Sequence, residues 1–239
     1  MIKYGSNNIG KIFFGSNTIG KAYLGSQLVY QSGGGPTPPT PTVYDAEVEY
    51  LESTGTQYFD LGFIPTQVIA FTIEIYRGNN NLRWDCGAEV GWSSKILRLL
   101  IQEGNAQAVW RYGLSNPSGG NITNSSNCVG RLRLVTNGRG VTINNLTSGA
   151  TYNSSASVSS AFDTTCNFLL FGVNVAGEPD IASVTSGVRL YSATITDSTV
   201  NLDLIPVRIG QVGYLYDKNS GTLFQNAGTG SFVLGPDVN

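Results

Sequence analysis

The sequence of 239 residues carries only 13% charged residues, a formal net charge of −2 and 30 glycines. This length fits one large domain, or a large domain with a small one. The weak charge argues against nucleic-acid binding, because that role needs clustered Lys and Arg. The chain contains no histidine, which excludes Ser-His-Asp and Cys-His catalysis and histidine metal sites.

The chain opens with a short repeat over residues 1–31. The segments YGSNNIGK, FGSNTIGK and LGSQLV begin at Tyr4, Phe14 and Leu24, ten residues apart. A lone hairpin or meander of this size is marginal in water, and short repeats are stabilised by neighbours. We therefore expect this segment to anchor the chain by packing against its own copies or against another protein. The apolar residues expected to make that contact are Tyr4, Ile9, Ile12, Phe13, Phe14, Ile19, Tyr23, Leu24, Leu28 and Tyr30.

Residues 32–42 form a linker of glycines followed by a proline-rich stretch. The part from Pro36 to Pro41 should be a stiff spacer of roughly 3 Å per residue. A stiff spacer separates two segments better than it docks them, so we favour an independent anchor. The alternative is that residues 1–31 add an edge sheet to the main domain, which we place at residues 43–239.

Short strands joined by turns are predicted throughout the main domain, with no helix. The segment from Ala70 to Tyr76 alternates between apolar and polar residues, as a half-buried strand does. Asn137-Gly138 is a strong hairpin signal, and Pro206 is expected near a strand end or edge. These features favour two packed antiparallel sheets, in a sandwich or jelly roll. The predicted strands are 70–76, 95–102, 107–112, 131–134, 141–143, 167–173, 188–195, 201–207, 213–217 and 222–224.

Two stretches bracket this domain and resemble a known family. The first is YLESTGTQYFDLG, from Tyr50; the second comprises DLIPVR from Asp203, GYLYD from Gly213 and NAGTG from Asn226, followed by Phe232 and Gly235-Pro236. Together they are similar to concanavalin A-like (laminin-G-like) jelly-roll modules, which recur in virion proteins of tailed phages of gut bacteria and in surface proteins of those bacteria. The resemblance implies an all-β fold: a concanavalin A-like jelly-roll sandwich preceded by a short β-repeat anchoring segment.

The N-terminal repeat also resembles short repeats that open tail-fibre and head-fibre proteins of such phages. This resemblance implies a virion structural or attachment protein, a fibre-like appendage that is assembled in the host cytoplasm and located in the virion. It further implies a homo-oligomer, with three copies expected, and a capsid or tail protein as the partner at the N-terminus. The jelly-roll domain would bind glycans of the host surface or of mucus, or would only decorate the particle.

Two alternatives to the virion protein stay open at this point. A bacterial surface lectin of the same fold predicts a signal peptide or lipobox. The chain instead begins with Met1-Ile2-Lys3-Tyr4 followed by Gly and Asn, and no apolar run approaches the length that spans a membrane. We therefore expect no membrane insertion. The second alternative, a polysaccharide depolymerase, predicts an acidic pair that faces a cleft.

Carboxylate spacing argues against catalysis. Glucanases of the concanavalin A-like fold carry a Glu-x-Asp-x-x-Glu pattern on one strand, and retaining hydrolysis needs two carboxyl groups roughly 5 Å apart. Here Glu47 and Glu49 share a strand face without a third acid, and Glu74 and Asp203 stand alone. We expect no enzymatic activity.

Aromatic residues are the candidates for glycan binding, because sugars stack on exposed aromatic planes. Trp92 follows Gly91 in a predicted loop, where binding residues concentrate. Trp110 and Tyr112 lie in a predicted strand, where a place in the core is the more common alternative, and Trp84 is a further tryptophan. The glycan-binding candidates are therefore Trp92, Trp110 and Tyr112.

No cofactor is expected from the sequence. Laminin-G-like modules often hold Ca²⁺ through oxygen ligands, but the sequence does not place such a site among its scattered aspartates. Three cysteines match no zinc or redox spacing and are expected to be buried free thiols. The aspartates are Asp60, Asp85, Asp163, Asp180 and Asp197, and the cysteines are Cys86, Cys128 and Cys166.

Overall fold

A computed structural model describes most of the chain beyond residue 42, together with short strands of the N-terminal segment. The chain divides into two compact units, Met1–Val43 and Tyr44–Asn239. No α-helix occurs in the part of the chain that the structure describes, which confirms the predicted all-β class. The described ranges are 43–79, 81–91, 94–101, 108–115, 120–122, 128–155, 162–181 and 186–238, with the strands given next for residues 1–31.

The first unit contains three two-stranded antiparallel hairpins, one for each sequence repeat. Their closing pairs are Tyr4 with Asn7, Phe14 with Asn17, and Leu24 with Gln27, so the hairpins recur with the period of the sequence. The strands are β1 Lys3–Tyr4, β2 Asn7–Asn8, β3 Phe13–Phe14, β4 Asn17–Thr18, β5 Lys21–Leu24 and β6 Gln27–Gln31.

The second unit is a sandwich of two sheets. Its strands are β7 Ala46–Glu47, β8 Leu51–Glu52, β9 Phe59–Asp60, β10 Ala70–Arg77, β11 Trp84–Gly91, β12 Ser94–Ile101, β13 Ala108–Ser115, β14 Gly120–Ile122, β15 Gly130–Asn137, β16 Gly140–Asn145, β17 Thr151–Ser155, β18 Leu169–Leu170, β19 Gly172–Val175, β20 Glu178–Asp180, β21 Arg189–Thr196, β22 Asn201–Ile209, β23 Val212–Asp217, β24 Leu223–Phe224 and β25 Val233–Leu234. The larger sheet has the order β17-β16-β15-β10-β21-β22-β23-β24 and is joined by β7, β8 and β25; the smaller sheet has the order β14-β13-β12-β11-β19-β20.

Alternating side chains of the two sheets meet in one apolar core. Ile73 and Ile75 of β10 are fully buried and belong to the same cluster as Leu97 of β12. The ring of Phe71, in the larger sheet, meets the ring of Trp110, in the smaller sheet, edge to face with 5.8 Å between centroids. Because a strand sends successive side chains to opposite faces, the opposite face of β10 stays partly exposed to solvent.

The apolar run predicted as one strand over residues 167–173 is two short strands. Phe171 separates them with a φ of 62°, which is rare for a bulky residue. Before it, β18 pairs with β9; after it, β19 pairs in parallel with β11. The prediction of purely antiparallel sheets is therefore wrong at this pair. The positive φ of Phe171 changes the direction of the chain. The two halves of the apolar run therefore pair with different strands, β9 and β11.

The hairpin predicted at Asn137-Gly138 is confirmed, with a shift of one residue. Asn137 pairs with Gly140 and ends β15. The two loop residues are Gly138 and Arg139, and Gly138 has a φ of 75°. Glycine adopts this left-handed conformation without steric cost, which explains its place at the first position of the loop.

The two stretches that resemble the concanavalin A-like family pack against each other. Phe59 and Phe232 stack face to face with 4.8 Å between centroids. The backbone N–H of Thr229 donates to the carbonyl of Thr56 over 3.1 Å. A Cβ at Gly228 would lie 2.1 Å from that same carbonyl oxygen, so only glycine fits there. The two ends of the second unit are therefore packed together.

We predict that Phe232→Ala lowers the free energy of unfolding of the second unit by about 3–5 kcal/mol. The ring is 4% exposed and also contacts Phe171 with 5.3 Å between centroids, so its removal leaves a cavity. Val233→Ala is the matched control: Val233 is 48% exposed, and its change should stay within about 0.5 kcal/mol. Urea unfolding followed by tryptophan fluorescence measures both variants. Equal losses in the two would contradict the packing described here.

Candidate functional site

The larger sheet forks between β21 and β22. The two strands pair from Thr196 and Asn201 as far as Ala193 and Leu204. Beyond that point they separate: β21 pairs with β8, and β22 pairs with β7. The segment that connects β7 to β8 therefore lies where β21 and β22 separate.

A β-bulge occurs on one side of this fork. The register between β10 and β21 shifts so that Tyr191 has no partner of its own, between the pairs Glu74–Ser192 and Ile75–Leu190. Tyr191 and Ser192 are both half-buried, although strand alternation would bury one of them. A bulge bends its strand and re-aims side chains, and bulges are frequent next to functional sites. Here the bulge places the phenol of Tyr191 and the hydroxyl of Ser192 together on the outer face of the sheet.

Backbone hydrogen bonds hold the inserted segment on both sides. The N–H of Val48 donates to the carbonyl of Pro206 over 3.0 Å, and the N–H of Glu49 donates to the carbonyl of Pro236 over 2.8 Å. The N–H of Val238 in turn donates to the carbonyl of Glu47 over 2.9 Å. Both glutamates are therefore displayed from a fixed backbone. Their side chains are exposed, while that of Val48 between them is buried.

The sequence predicted Pro206 near a strand end or a strand edge. It lies inside β22, on the side of that strand that borders the fork. It pairs with Leu215 of β23 on one side. Its carbonyl faces the inserted segment and accepts the bond from Val48. Proline cannot donate a ladder hydrogen bond, and within one strand residue the N–H and C=O point to the same side. The missing donor therefore falls at the fork, where no regular ladder continues.

An open groove of ≈ 330 Å³ lies over the fork; we call it the fork groove. Its volume is at the lower end of the range typical of small-molecule sites, about 300–1,000 Å³, and two other grooves in the described residues measure ≈ 190 and ≈ 100 Å³. The groove combines apolar surface with ionisable and hydroxyl groups. Its lining residues are Glu47, Val48, Glu49, Arg131, Tyr191, Ser192, Ile205, Pro206 and Val238.

A stacked guanidinium and phenol form one side of the fork groove. The guanidinium of Arg131 lies over the ring of Tyr191, 3.9 Å from its centroid, in the geometry of a cation–π contact. The same guanidinium forms an ion pair with Glu74 over 3.1 Å, and Glu74 also pairs with Arg133 over 2.7 Å. These contacts hold Arg131 flat against the sheet, with its side chain still 41% exposed.

Burial raises the pKa of the Tyr191 phenol above its ordinary value, and the nearby Glu49 acts in the same direction. The guanidinium groups of Arg189 and Arg131 oppose the rise without cancelling it. The hydroxyl of Tyr191, which lines the groove, can donate a hydrogen bond to a ligand there. On the other side, the carboxylate of Glu47 accepts a hydrogen bond of 3.0 Å from the hydroxyl of Tyr44.

A second group of charges lies buried on the smaller sheet. Arg98 of β12 donates two bonds of 3.0 Å to the carboxylate of Asp85 on β11, and it approaches Glu89 at 3.5 Å and Asp180 at 4.0 Å. Arg98 is 3% exposed, Glu89 1% and Asp85 0%. Burial alone would lower the pKa of Arg98, but the three carboxylates outweigh it and raise that pKa.

The buried charge cluster of Arg98, Asp85, Glu89 and Asp180 was not found by sequence reasoning. Asp85 and Glu89 lie on one face of β11, which resembles the paired acids that a glycosidase needs. Both carboxylates are instead buried and paired with Arg98, and Asp85 also pairs with Arg83 over 3.8 Å, so neither is placed to meet a substrate. The available signal was the alternation of apolar and charged residues from Trp84 to Glu89, but in a strand such charges are usually read as exposed.

The structure corrects two of the glycan-binding candidates. Trp110 is fully buried, and its indole N–H donates to the carbonyl of Gly138 over 3.1 Å. Tyr112 is 4% exposed, and its hydroxyl donates to the carbonyl of Gln67. Neither ring offers a plane to a sugar, because both belong to the core between the sheets. Trp84 is fully buried as well. Trp92 lies outside the described residues and stays a prediction.

The side chains of the predicted anchoring residues also lie outside what the structure describes. The backbone of seven of them belongs to the hairpins β1 to β6; the other three fall between the described strands. Their role in oligomerisation therefore stays a prediction. The seven strand residues are Tyr4, Phe13, Phe14, Tyr23, Leu24, Leu28 and Tyr30, and the other three are Ile9, Ile12 and Ile19.

The single acids considered for catalysis are engaged elsewhere. Glu74 binds two arginines, as described above, and Asp203 pairs with Lys218 over 2.8 Å. Among the described residues no three His, Cys, Asp or Glu side chains come together in a way that could hold a metal ion. The cysteines Cys86, Cys128 and Cys166 are buried free thiols, as predicted.

No protein-family model matches the sequence, and no curated protein matches it significantly. Within the described ranges, no helix is both long and apolar enough to cross a membrane.

We predict that Arg98→Ala destabilises the second unit by about 3–5 kcal/mol, because it removes the guanidinium that pairs with buried Asp85 and Glu89 and leaves Asp85 with the more distant Arg83, at 3.8 Å. The double variant Asp85→Asn with Arg98→Met removes both charges of the bidentate pair and should lose less stability than Arg98→Ala alone. Arg139→Ala, at an exposed arginine, serves as the control and should stay within about 0.5 kcal/mol. Thermal and urea unfolding measure the stability of all three variants. A double variant that is less stable than Arg98→Ala would contradict this prediction.

Proposed function

We propose that this chain is an attachment protein of a phage virion appendage. Its first unit anchors and oligomerises the chain, and its second unit binds carbohydrate in the fork groove. The groove is the observation that carries the proposal, because it places a phenol, a hydroxyl, a guanidinium and two carboxylates around apolar surface. Sugars present hydroxyl groups next to apolar C–H faces, so a site with both kinds of surface suits them.

The arrangement of the chain ends supports the concanavalin A-like resemblance. The two stretches that carry it are far apart in sequence, yet their backbones bond to each other and their aromatic rings stack. A set of residues that forms one packed unit has a structural reason to occur together. We therefore propose that the two-sheet sandwich is a concanavalin A-like jelly roll, the fold that the resemblance implies.

The three hairpins of the first unit support an anchoring role. A single two-stranded hairpin is at best marginally stable in water, and residues 1–31 are rich in apolar side chains. We propose that these residues pack in a homotrimer and against a capsid or tail protein. A bacterial surface lectin would share the groove but not this assembly. A depolymerase would need a reactive carboxylate pair. The paired acids of β11 are bound to Arg98, whereas Glu47 and Glu49 line the fork groove, so the assay for released reducing ends decides between binding and hydrolysis there.

We predict that Tyr191→Ala weakens glycan binding at least about ten-fold, which corresponds to about 1.4 kcal/mol. The change removes both the hydroxyl donor and the ring on which Arg131 lies. Tyr76→Ala is the matched control, because Tyr76 is on the same face of the same sheet but does not line the groove. A glycan array followed by titration calorimetry measures both. Equal binding by the two variants, or no glycan bound by the native chain, would refute the groove as a carbohydrate site.

We further predict that removal of residues 1–31 converts a trimer into a folded monomer. The second unit has its own core, so it should keep its circular dichroism spectrum and its glycan binding. Light scattering measures the mass of the full chain and of the truncated chain. A truncated chain that remains trimeric would contradict the anchoring role.

Release of reducing ends from host polysaccharide would instead favour the depolymerase.

A further inference from the structure

We infer that the fork groove selects a zwitterionic saccharide, one that carries an amine and an anionic group on the same or adjacent sugar residues. This inference rests on the proposed function and narrows it to a ligand class. It depends on the placement of opposite charges on the two sides of the groove.

One side of the groove is anionic. Glu47 and Glu49 are two residues apart on an extended backbone, so their side chains project to the same face. Both are exposed. Within the described residues neither forms an ion pair; the partner of Glu47 is the neutral hydroxyl of Tyr44. Both carboxylates therefore keep their charge available to a cation in the groove.

The other side of the groove is cationic. Arg131 and Arg133 share the single carboxylate of Glu74, so this group of three side chains retains one positive charge. The guanidinium of Arg131 lines the groove while it lies on Tyr191. A planar guanidinium has donors that match carboxylate and phosphate oxygens, so this side suits an anion.

The two sides do not neutralise each other. Arg131 makes its ion pair with Glu74, and no pair within 4.0 Å joins it to Glu47 or Glu49 in the described part of the chain. The ring of Tyr191 lies under the guanidinium of Arg131. Burial raises the pKa of the Tyr191 phenol and the charge of Glu49 adds to this rise, so Tyr191 is near both charged groups. A ligand with one positive and one negative group can satisfy both sides at once.

A purely acidic glycan would face the two glutamates without compensation, and a purely basic one would face Arg131. Juxtaposed like charges disfavour wrong partners more strongly than matched charges raise affinity. The groove is therefore expected to discriminate by charge pattern as well as by sugar shape.

Four monosaccharides test this inference as a matched set: glucosamine 6-phosphate, glucosamine, glucose 6-phosphate and glucose. The full-length chain should bind glucosamine 6-phosphate most tightly. Loss of either charged group should weaken binding about five-fold, the effect of about 1 kcal/mol for an exposed ion pair. Ligand-observed NMR titration suits such weak binding. The preference should also shrink at high salt, because exposed charges are screened.

Two variants assign the sides of the groove. Glu49→Gln should reduce the advantage of the amine, since Glu47 remains, and Arg131→Gln should abolish the advantage of the phosphate. Glu178→Gln and Arg139→Gln are the controls, because both residues are exposed and neither lines the groove. Unchanged circular dichroism spectra ensure that each variant is folded.

Equal binding of all four sugars would overturn the inference, as would equal effects of Glu49→Gln and Glu178→Gln. In those cases glycan-array binding that depends on Tyr191 would leave the proposed function intact. Absence of both array binding and monosaccharide binding would overturn the proposed function together with the inference.

Discussion

The backbone of residues 45–50 is the part on which the outer face of the larger sheet depends. Where β21 and β22 separate, their inner edges would expose unpaired N–H and C=O groups. A buried backbone group without a partner costs about 1–3 kcal/mol, so the gap must be filled. β8 pairs with β21, and β7 and Val48 bond to β22, while Glu49 bonds to Pro236 of the C-terminal segment. The fork groove lies over residues 47–49, and the carboxylates of Glu47 and Glu49 line it.

Two irregularities occur at the level where the strands separate, one on each side. Tyr191 is the extra residue of a bulge in β21, and Pro206 is a residue without an N–H in β22. Either one inside an uninterrupted ladder would cost a hydrogen bond. The bulge interrupts the ladder between β21 and β10, whereas the missing N–H of Pro206 falls on the side of β22 that borders the fork. The bulge then brings Tyr191 and Ser192 to one face, which a regular strand cannot do.

Local patterns predicted the local structure well. The alternation from Ala70 to Tyr76 became β10, and the ten-residue repeat became three hairpins. The same patterns placed Glu47 and Glu49 on one face. They could not predict the groove, because its other residues are distant in sequence and meet only when the fork forms.

The sequence pattern did not decide whether Trp110 and Tyr112 are buried or exposed. Trp110 and Tyr112 lie in a strand whose two faces are hard to distinguish from the sequence alone. Which face is covered depends on the opposite sheet, and here Phe71 and Gly138 cover Trp110. The break at Phe171 is also a tertiary effect, because a continuous apolar run does not reveal that its halves pair with different strands.

Desolvation explains why one set of charges is structural and the other is suited to binding. The charged groups around Arg98 are buried, and each is stabilised by its ion-pair partner. A ligand would therefore have to break a buried ion pair at a cost of several kcal/mol. In the fork groove the side chains of Glu47, Glu49 and Arg131 are exposed to solvent, so a ligand bound there would replace water at modest gain. In the proposed function, a single groove of this kind would bind weakly. Three copies held together by the N-terminal unit would raise the avidity by about 10²–10⁴. In the proposed appendage, the repeats that hold the oligomer together are therefore what makes a weak, charge-selective groove sufficient for attachment.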